Sequence, residues 1–287
     1  MNMGLLSIGF MRPEMHTLSL QSLKECRGYK DLYVRVVLDK APFNVVGREN
    51  LEKILPNADF REREQPLGMN GNVLISIQEM FNDGYDSVIV LEEDIVVSKD
   101  FLEFHRYCHE EFDWEDLNVM CCTGYTRSNG SSDKIHLYSW YIPDGVSWKK
   151  STWNMVVPHI PESYRMRFAT IMEFKLWMLR IANPTFRTLI PNIKKHEPDY
   201  MKEFTVSEMP KCHTQDGLLN AIRASKGMKT LSPESSRCQD IGIYGQCQPK
   251  GYEKIADVTN RDNWTQSGWY TEGFKEDHEW TDLELKV

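Results

Sequence analysis

Apolar, β-branched runs alternate with stretches of helical periodicity along the first 110 residues, and this alternation restricts the fold of the chain more than any other feature. LLSIGF at 5–10 predicts a buried strand. Behind it, RPEMHTLSLQSLKEC carries Met15, Leu18 and Leu23 at helical intervals, with Pro13 where its fixed φ suits a first turn. LYVRVVLD at 32–39 predicts a second strand ending in Asp39, followed by a loop rich in Pro and Asn. NVLISIQEMF at 72–81 places Val73, Leu74, Ile77, Met80 and Phe81 on one helical face. SVIVL is the next strand, and SKDFLEFHRYC the next helix, with Ser98 as its expected N-cap. Strands that alternate with helices pair in parallel and are covered on both faces. The expected class is therefore α/β, with a mixed, mostly parallel, Rossmann-like sheet flanked by helices in a single domain.

Ligands of such sheets sit beyond the carboxyl ends of the strands. Arg12, Asp39 and the triplet Glu92, Glu93 and Asp94 all fall just past an expected strand end. The triplet follows a very apolar run in VLEEDIVVSKDF at 90–101. Carboxylates are costly to bury unless paired, hydrogen-bonded or bound to a metal, so a cluster there calls for a cation or for hydroxyl donors. Hard oxygen ligands suit Mg or Mn bridging a diphosphate. The plainer alternative is a solvated strand end that caps the next helix.

Beyond residue 120 the pattern loosens. NVMCCTGY at 118–125 predicts a strand, RSNGSSDK a loop, and LYSWYIPDGVSWKKSTW aromatic strands around a turn. SYRMRFATIMEFKLWMLRIA predicts a helix ending before Pro184, in a region, 162–205, rich in Arg, Lys and Met. TQDGLLNAIRASKG at 214–227 is a clearer helix, capped by Thr214 and closed by Gly227. The aromatic and charged residues after 250 suggest a tail wrapped over the domain. Seven cysteines without a CxxC pair read as reduced thiols near the core. The histidines at 105, 109, 136, 159, 196 and 213 follow no ligand spacing. A formal charge of −8 argues mildly against a sequence-independent grip on nucleic acid. No stretch approaches the roughly 18–20 apolar residues of a membrane span, and the expected setting is soluble and cytoplasmic, in a bacterium or a virus-infected cell.

VIVLEEDIVVSKDFLEF resembles the metal-binding strand of GT-A glycosyltransferases, especially the N-acetylglucosaminyltransferase I family. GFMRPEMHTLSLQSL resembles that superfamily's first strand and helix, GVSWKKSTW its aromatic acceptor-side segment, TQDG the position of its catalytic acid, and PESSRCQDIGIYGQC its closing segment. These pieces span about 240 residues in the family's order. The resemblance implies that Asp94 binds the metal while Glu92 and Glu93 meet sugar and ribose hydroxyls. It implies a base-edge contact for Asp39 and a base or phosphate contact for Arg12. Asn70 and Asn72 precede or open a helix that approaches the nucleotide. Trp148 and Lys149 would shape a pocket, Asp240 stands where relatives carry Asn, and Gly242 and Gly245 allow close backbone approach.

Asp216 is the candidate base, since an inverting transfer needs a carboxylate to take the acceptor proton. In a first helical turn it would stay ionised, although an Asp there also stabilises a helix without any catalytic role. The expected function is thus a metal-dependent hexosyl- or pentosyltransferase moving a sugar from a nucleotide-diphosphate donor, most simply a UDP-sugar. Its halves would be 1–120 for the donor and 121–250 for the acceptor, with a tail at 251–287. The acceptor would be a saccharide or a hydroxylated DNA base, and Lys149, Lys150, Arg165, Arg167, Lys175, Arg180, Arg187, Lys194, Lys195 and Lys202 are either a basic face for DNA or scattered solubilising charges. Rival readings are a sugar-1-phosphate nucleotidyltransferase and a non-catalytic binding module of the same fold.

Overall fold

The computed structural model describes residues 1–40, 48–128, 130, 132–165, 170–201, 214–244, 253, 256–278 and 285–286. Readings that involve Arg167, Lys202, Cys212, His213, Gly245 and Cys247 lie outside these residues.

The first half keeps the expected alternation, and the stretch after Asp39, expected as a loop, adds a helix at Arg48–Ile54 and a strand at Asp59–Glu62. It runs β1 (Met3–Gly9), α1 (Pro13–Lys24), β2 (Tyr33–Leu38), α2 (Arg48–Ile54), β3 (Asp59–Glu62), α3 (Gly68–Asn82), β4 (Ser87–Glu92), β5 (Ile95–Val97) and α4 (Phe101–Glu110). The second half holds β6 (Val119–Thr123), β7 (Ile135–Tyr138), β8 (Val146–Lys149), α5 (Lys150–Val156), α6 (Ile171–Trp177), α7 (Asn183–His196), α8 (Gln215–Ser225), β9 (Lys229–Pro233), β10 (Cys238–Asp240) and β11 (Leu285–Lys286). Among the described residues one nine-stranded sheet joins both halves in the order β11-β7-β9-β6-β8-β4-β1-β2-β3. The β1, β2, β3 and β4 pairings are parallel, and β8 inserts antiparallel between β4 and β6. The mixed, mostly parallel α/β class is therefore the one found. No helix among the described residues is long and apolar enough to cross a membrane.

Burial follows the sequence pattern. Leu6, Ile8, Val88 and Val90 of the central strands pack with Val73, Ile77 and Phe81 of α3, while Leu5, Ile89 and Leu91 face Leu20, Leu23 and Phe101 on the other side. Cys26, Cys108, Cys121, Cys122 and Cys238 are free and buried, as reduced core thiols should be.

Four local expectations change. α3 starts at Gly68, so the expected LGMNGN loop forms its first turn. Its cap comes from outside: the Asp39 carboxylate accepts from the N–H groups of Leu67 (2.8 Å) and Gly68 (2.7 Å). Residues 95–97 leave the main sheet as β5 and pair antiparallel with β10. Ser98 is not the cap of α4, because the helix begins at Phe101 behind Asp100, and Ser98 Oγ donates instead to Asp100 Oδ1 at 2.5 Å.

The helix expected to stop before Pro184 does not stop there. Thr170 and Glu173 form a capping box at its start, and helical backbone then runs through a π turn at Met178–Ala182 into α7, ending at His196. The π turn loosens the hydrogen-bond ladder just before Pro184, whose missing N–H could not have joined it. The second proline, Pro191, is exposed within α7.

α7 and α8 are joined by a buried ion pair. Arg223, fully buried, donates from Nη1 and Nη2 to both oxygens of Glu197 at 2.7 Å and to the Met228 carbonyl at 2.8 Å. Removing one partner of such a pair strands the other charge. Glu197→Ala is expected to lower unfolding free energy by about 3 kcal/mol, checked by urea denaturation at neutral pH.

Candidate active site

Parallel pairing brings three strand ends level. Ile8 lies beside Glu92 and Gly9 beside Leu38, so Arg12, Asp39 and the acidic triplet emerge at one edge of the sheet. Glu93 and Asp94 occupy the turn between β4 and β5.

Arg12 is the cation of this edge. Its Nε donates to Glu93 Oε1 at 2.7 Å and its Nη1 lies 2.7 Å from Asp94 Oδ2. Glu93 is further held by the Phe10 N–H at 2.6 Å. Glu93 thus orients Arg12 and the first turn of the site through both its oxygens, and the guanidinium points at carboxylates. Burial opposes the Arg12 charge, but the fields of Asp94, Glu93 and Asp240 outweigh it and raise its pKa. His16, buried next to this charge and bonded to Ser7 Oγ at 2.8 Å, is pushed down to about 3 by burial and by Arg12, and stays neutral.

The β5–β10 pair sets Ile95 against Asp240, and the Ile241 N–H donates to the Asp94 carbonyl at 2.8 Å. Asp240 is thereby laid beside Asp94. Its Oδ1 accepts from the Gly242 N–H at 2.5 Å and from Ser267 Oγ at 3.0 Å. A Cβ at Gly242 would lie 2.7 Å from Asp94 Oδ2 and 2.8 Å from Asp240 Oδ1, so only glycine leaves this cradle open. Burial, then Asp94, pushes Asp240 up to about 7.

Two more carboxylates face the same place. α8 is capped by Thr214, whose Oγ1 accepts from the Gly217 N–H at 3.1 Å, and it presents Asp216 in its first turn. Asn70 Oδ1 accepts from the Gln215 N–H at 2.8 Å and ties α3 to this turn. Burial pushes Asp216 up to about 6, so it is less firmly ionised than its position at a helix start suggests, because lost hydration outweighs the helix dipole.

Asp144 was not singled out by the sequence, where PDG reads as a turn. It sits just ahead of β8, which runs antiparallel to β4 with Val146 beside Val90, so the preceding turn falls at the acidic edge. Burial, with the fields of Asp240, Asp94 and Asp216, raises its pKa well above the usual carboxylate range. Glu92 is raised likewise, by burial and by Asp94, Asp216 and Asp144. Asp94 Oδ1, Asp144 Oδ2 and Asp216 Oδ1 are all buried and without a hydrogen-bond partner among the described residues. Orphaned oxygens of this kind need a cation or hydroxyl donors from a ligand.

Other expected residues lie elsewhere. The antiparallel register that brings Asp144 in carries Lys149 to the far end, beside Ser87 at the start of β4, about 16 Å from Glu92 at strand spacing. Lys149 Nζ lies 4.9 Å from the centre of the Trp114 ring. Trp148 is fully buried against Tyr141 and Trp153 and belongs to the core. Asn72 is buried with its Oδ1 accepting from Arg63 Nε at 3.0 Å. Asp39 spends its oxygens on the start of α3, as described above. His105 and His109 bond Ser147 Oγ, each at 2.8 Å, as neutral core groups.

Among the described residues, no three His, Cys, Asp or Glu side chains converge closely enough to form a metal site of their own. Asp94 with its orphaned Oδ1, Asp240 and the open Gly242 cradle fit a divalent cation that takes its remaining ligands from diphosphate oxygens and water.

No family model matches the chain, and no curated protein matches it. Solved structures do. The 1-349 fragment of TarS from S. aureus is 12% identical over 54% of this chain with a TM-score of 0.42; the match covers 50% of that fragment, so the chain spans about half its length. The mannosyltransferase PcManGT from Pyrobaculum calidifontis, solved with GDP-Man and Mn2+, is 12% identical over 78% of this chain and 73% of its own, with a TM-score of 0.44. A cytidylyltransferase from Leptospira borgpetersenii is 13% identical over 58% of this chain and 68% of its own, with a TM-score of 0.35.

Raised folded-state pKa values give a signed stability effect. Asp216 and Asp240 contribute fully below their unfolded value near 3.8, and that contribution is lost as pH rises through about 6 and about 7. The ligand-free protein is expected to melt lower at about pH 8 than at about pH 5, by an order of a few °C, and Asp240→Asn to flatten the difference. Scanning calorimetry of both proteins checks this.

Proposed function

We propose that the chain is a GT-A glycosyltransferase of the kind its sequence resembles, the N-acetylglucosaminyltransferase I-like group. It transfers a hexosyl or pentosyl group, with inversion, from a nucleotide-diphosphate sugar to an acceptor hydroxyl. The donor is most simply a UDP-sugar, and the acceptor a saccharide or a hydroxylated base in DNA. The observation that carries this reading is the meeting of Glu92, Asp94, Asp144, Asp216 and Asp240 at one strand edge, with three buried carboxylate oxygens lacking partners among the described residues. A site so rich in acceptors and so short of protein donors suits a hydroxyl-rich ligand joined to a cation.

A bound Mn2+ or Mg2+, held by Asp94 and Asp240, would neutralise charge developing on the departing diphosphate. Arg12, locked between Glu93 and Asp94, holds the Asp94 carboxylate in place. Glu92 and Asp144, kept protonated more readily than ordinary carboxyls, are able to donate as well as accept hydrogen bonds to sugar hydroxyls. Asp216 takes the acceptor proton as the acceptor oxygen bonds to the anomeric carbon and the bond from that carbon to the diphosphate oxygen breaks. With a pKa of about 6 it is mostly ionised at neutral pH and still basic enough to accept a proton.

Thermal-shift screening of nucleotide sugars with and without Mn2+ tests the donor. A stabilising donor that needs the metal, and whose effect is lost in Asp94→Ala, is the expected result; no response to any nucleotide sugar would sink the reading. Gly242→Ala is expected to weaken that same response, since the new methyl group enters the cradle. For chemistry, Asp216→Asn should lower kcat by about 10²–10⁴ while donor binding persists. In the wild type, kcat/KM should climb about tenfold per pH unit below about 6 and level off above it. Steady-state kinetics across pH measures both.

A further inference from the structure

We propose that the outer face of the 171–196 helical segment docks the protein onto an anionic lipid surface. This goes beyond the transfer reading and does not rest on it. The inner face of the segment is already committed: Trp177, Ala182, Phe186, Leu189 and Ile193 are buried against the core. Facing outward are Met172 at 64%, Leu176 at 41% and Leu179 at 65% exposure, three of the nine large apolar side chains that stand exposed among the described residues. Met172 and Leu176 lie one α-helical turn apart, Leu179 follows at the start of the π turn, and Lys175 and Arg180 are exposed next to them.

Charge complementarity selects the partner. The segment carries Lys175, Arg180, Arg187, Lys194 and Lys195 against the single carboxylate Glu173, in a chain whose net charge is −8. All five cations are exposed, and none forms an ion pair among the described residues. The acidic remainder of the molecule is repelled by an anionic surface, so this face alone would turn toward it. Apolar side chains between flanking cations are the pattern of a helix lying in a lipid interface, where the apolar groups enter the acyl boundary and the cations meet the headgroups. A protein that engulfs amphipathic helices would need the face that the core already holds. A contact from one side, by an extended surface, fits what is left.

The test is sedimentation of the full chain with phosphatidylcholine vesicles that contain or lack phosphatidylglycerol. Binding is expected only to the anionic vesicles, and it should fall with added salt. Leu176→Glu with Leu179→Glu should abolish it, and Lys175→Glu with Arg180→Glu should weaken it by about tenfold or more. Both variants alter exposed groups, so circular dichroism and the thermal response to nucleotide sugar should match the wild type. No binding to anionic vesicles, or binding that survives both variants, overturns the proposal. So does self-association that the leucine variant removes while vesicle binding is absent, because these apolar side chains would then serve a second copy of the chain.

Discussion

The Arg12 guanidinium, set among carboxylates, organises the site. Arg12 bonds Glu93 and Asp94 at once, with both contacts at 2.7 Å. Without it, the turn after β4 would bring uncompensated negative charge into a buried edge, at a penalty of several kcal/mol per ion. With it, the turn is held, yet the balance stays short of cation: Glu92, Asp144, Asp216 and Asp240 all have raised pKa values, because burial and mutual repulsion are only partly offset. The edge thus carries more buried carboxylate than its arginine neutralises.

The rest of the fold delivers those carboxylates from separate directions. β4 supplies Glu92, the turn after it Asp94, the β5–β10 clamp supplies Asp240, the turn before β8 supplies Asp144, and α8 supplies Asp216. They arrive through a parallel ladder, two antiparallel ladders and a capped helix start. Glu92, Asp216 and Asp240 sit on strands or a helix, and Asp94 and Asp144 in turns next to paired strands.

Residues with local signals were legible early. The strand and helix periodicities placed β1, α1, β2 and β4 to within a few residues, Thr214 capped α8 as its chemistry demands, and the acid triplet fell at a strand end. Readings that depended on distant partners fared differently. Asp39 caps α3 across 28 residues, a contact no local pattern announces, and so the start of that helix came four residues early. Ser98 has the right side chain for a cap, yet Asp100 and Arg237 claim its hydroxyl. Lys149, expected at the pocket, lies away from it and Asp144, not singled out, lies near it for one reason: β8 runs against β4, so its last residue is far from the site and the turn before it is near.

From residue order alone come the fold class, the parallel core and the presence of a charged strand end, because periodicity and residue chemistry act over a few neighbours. Which carboxylates share one edge, which lysine and tryptophan do not reach it, and how far each acid is pushed from its ordinary pKa came from the folded chain. Those properties depend on strand direction, on pairing between segments more than a hundred residues apart, and on the loss of water around groups that are far from one another in sequence.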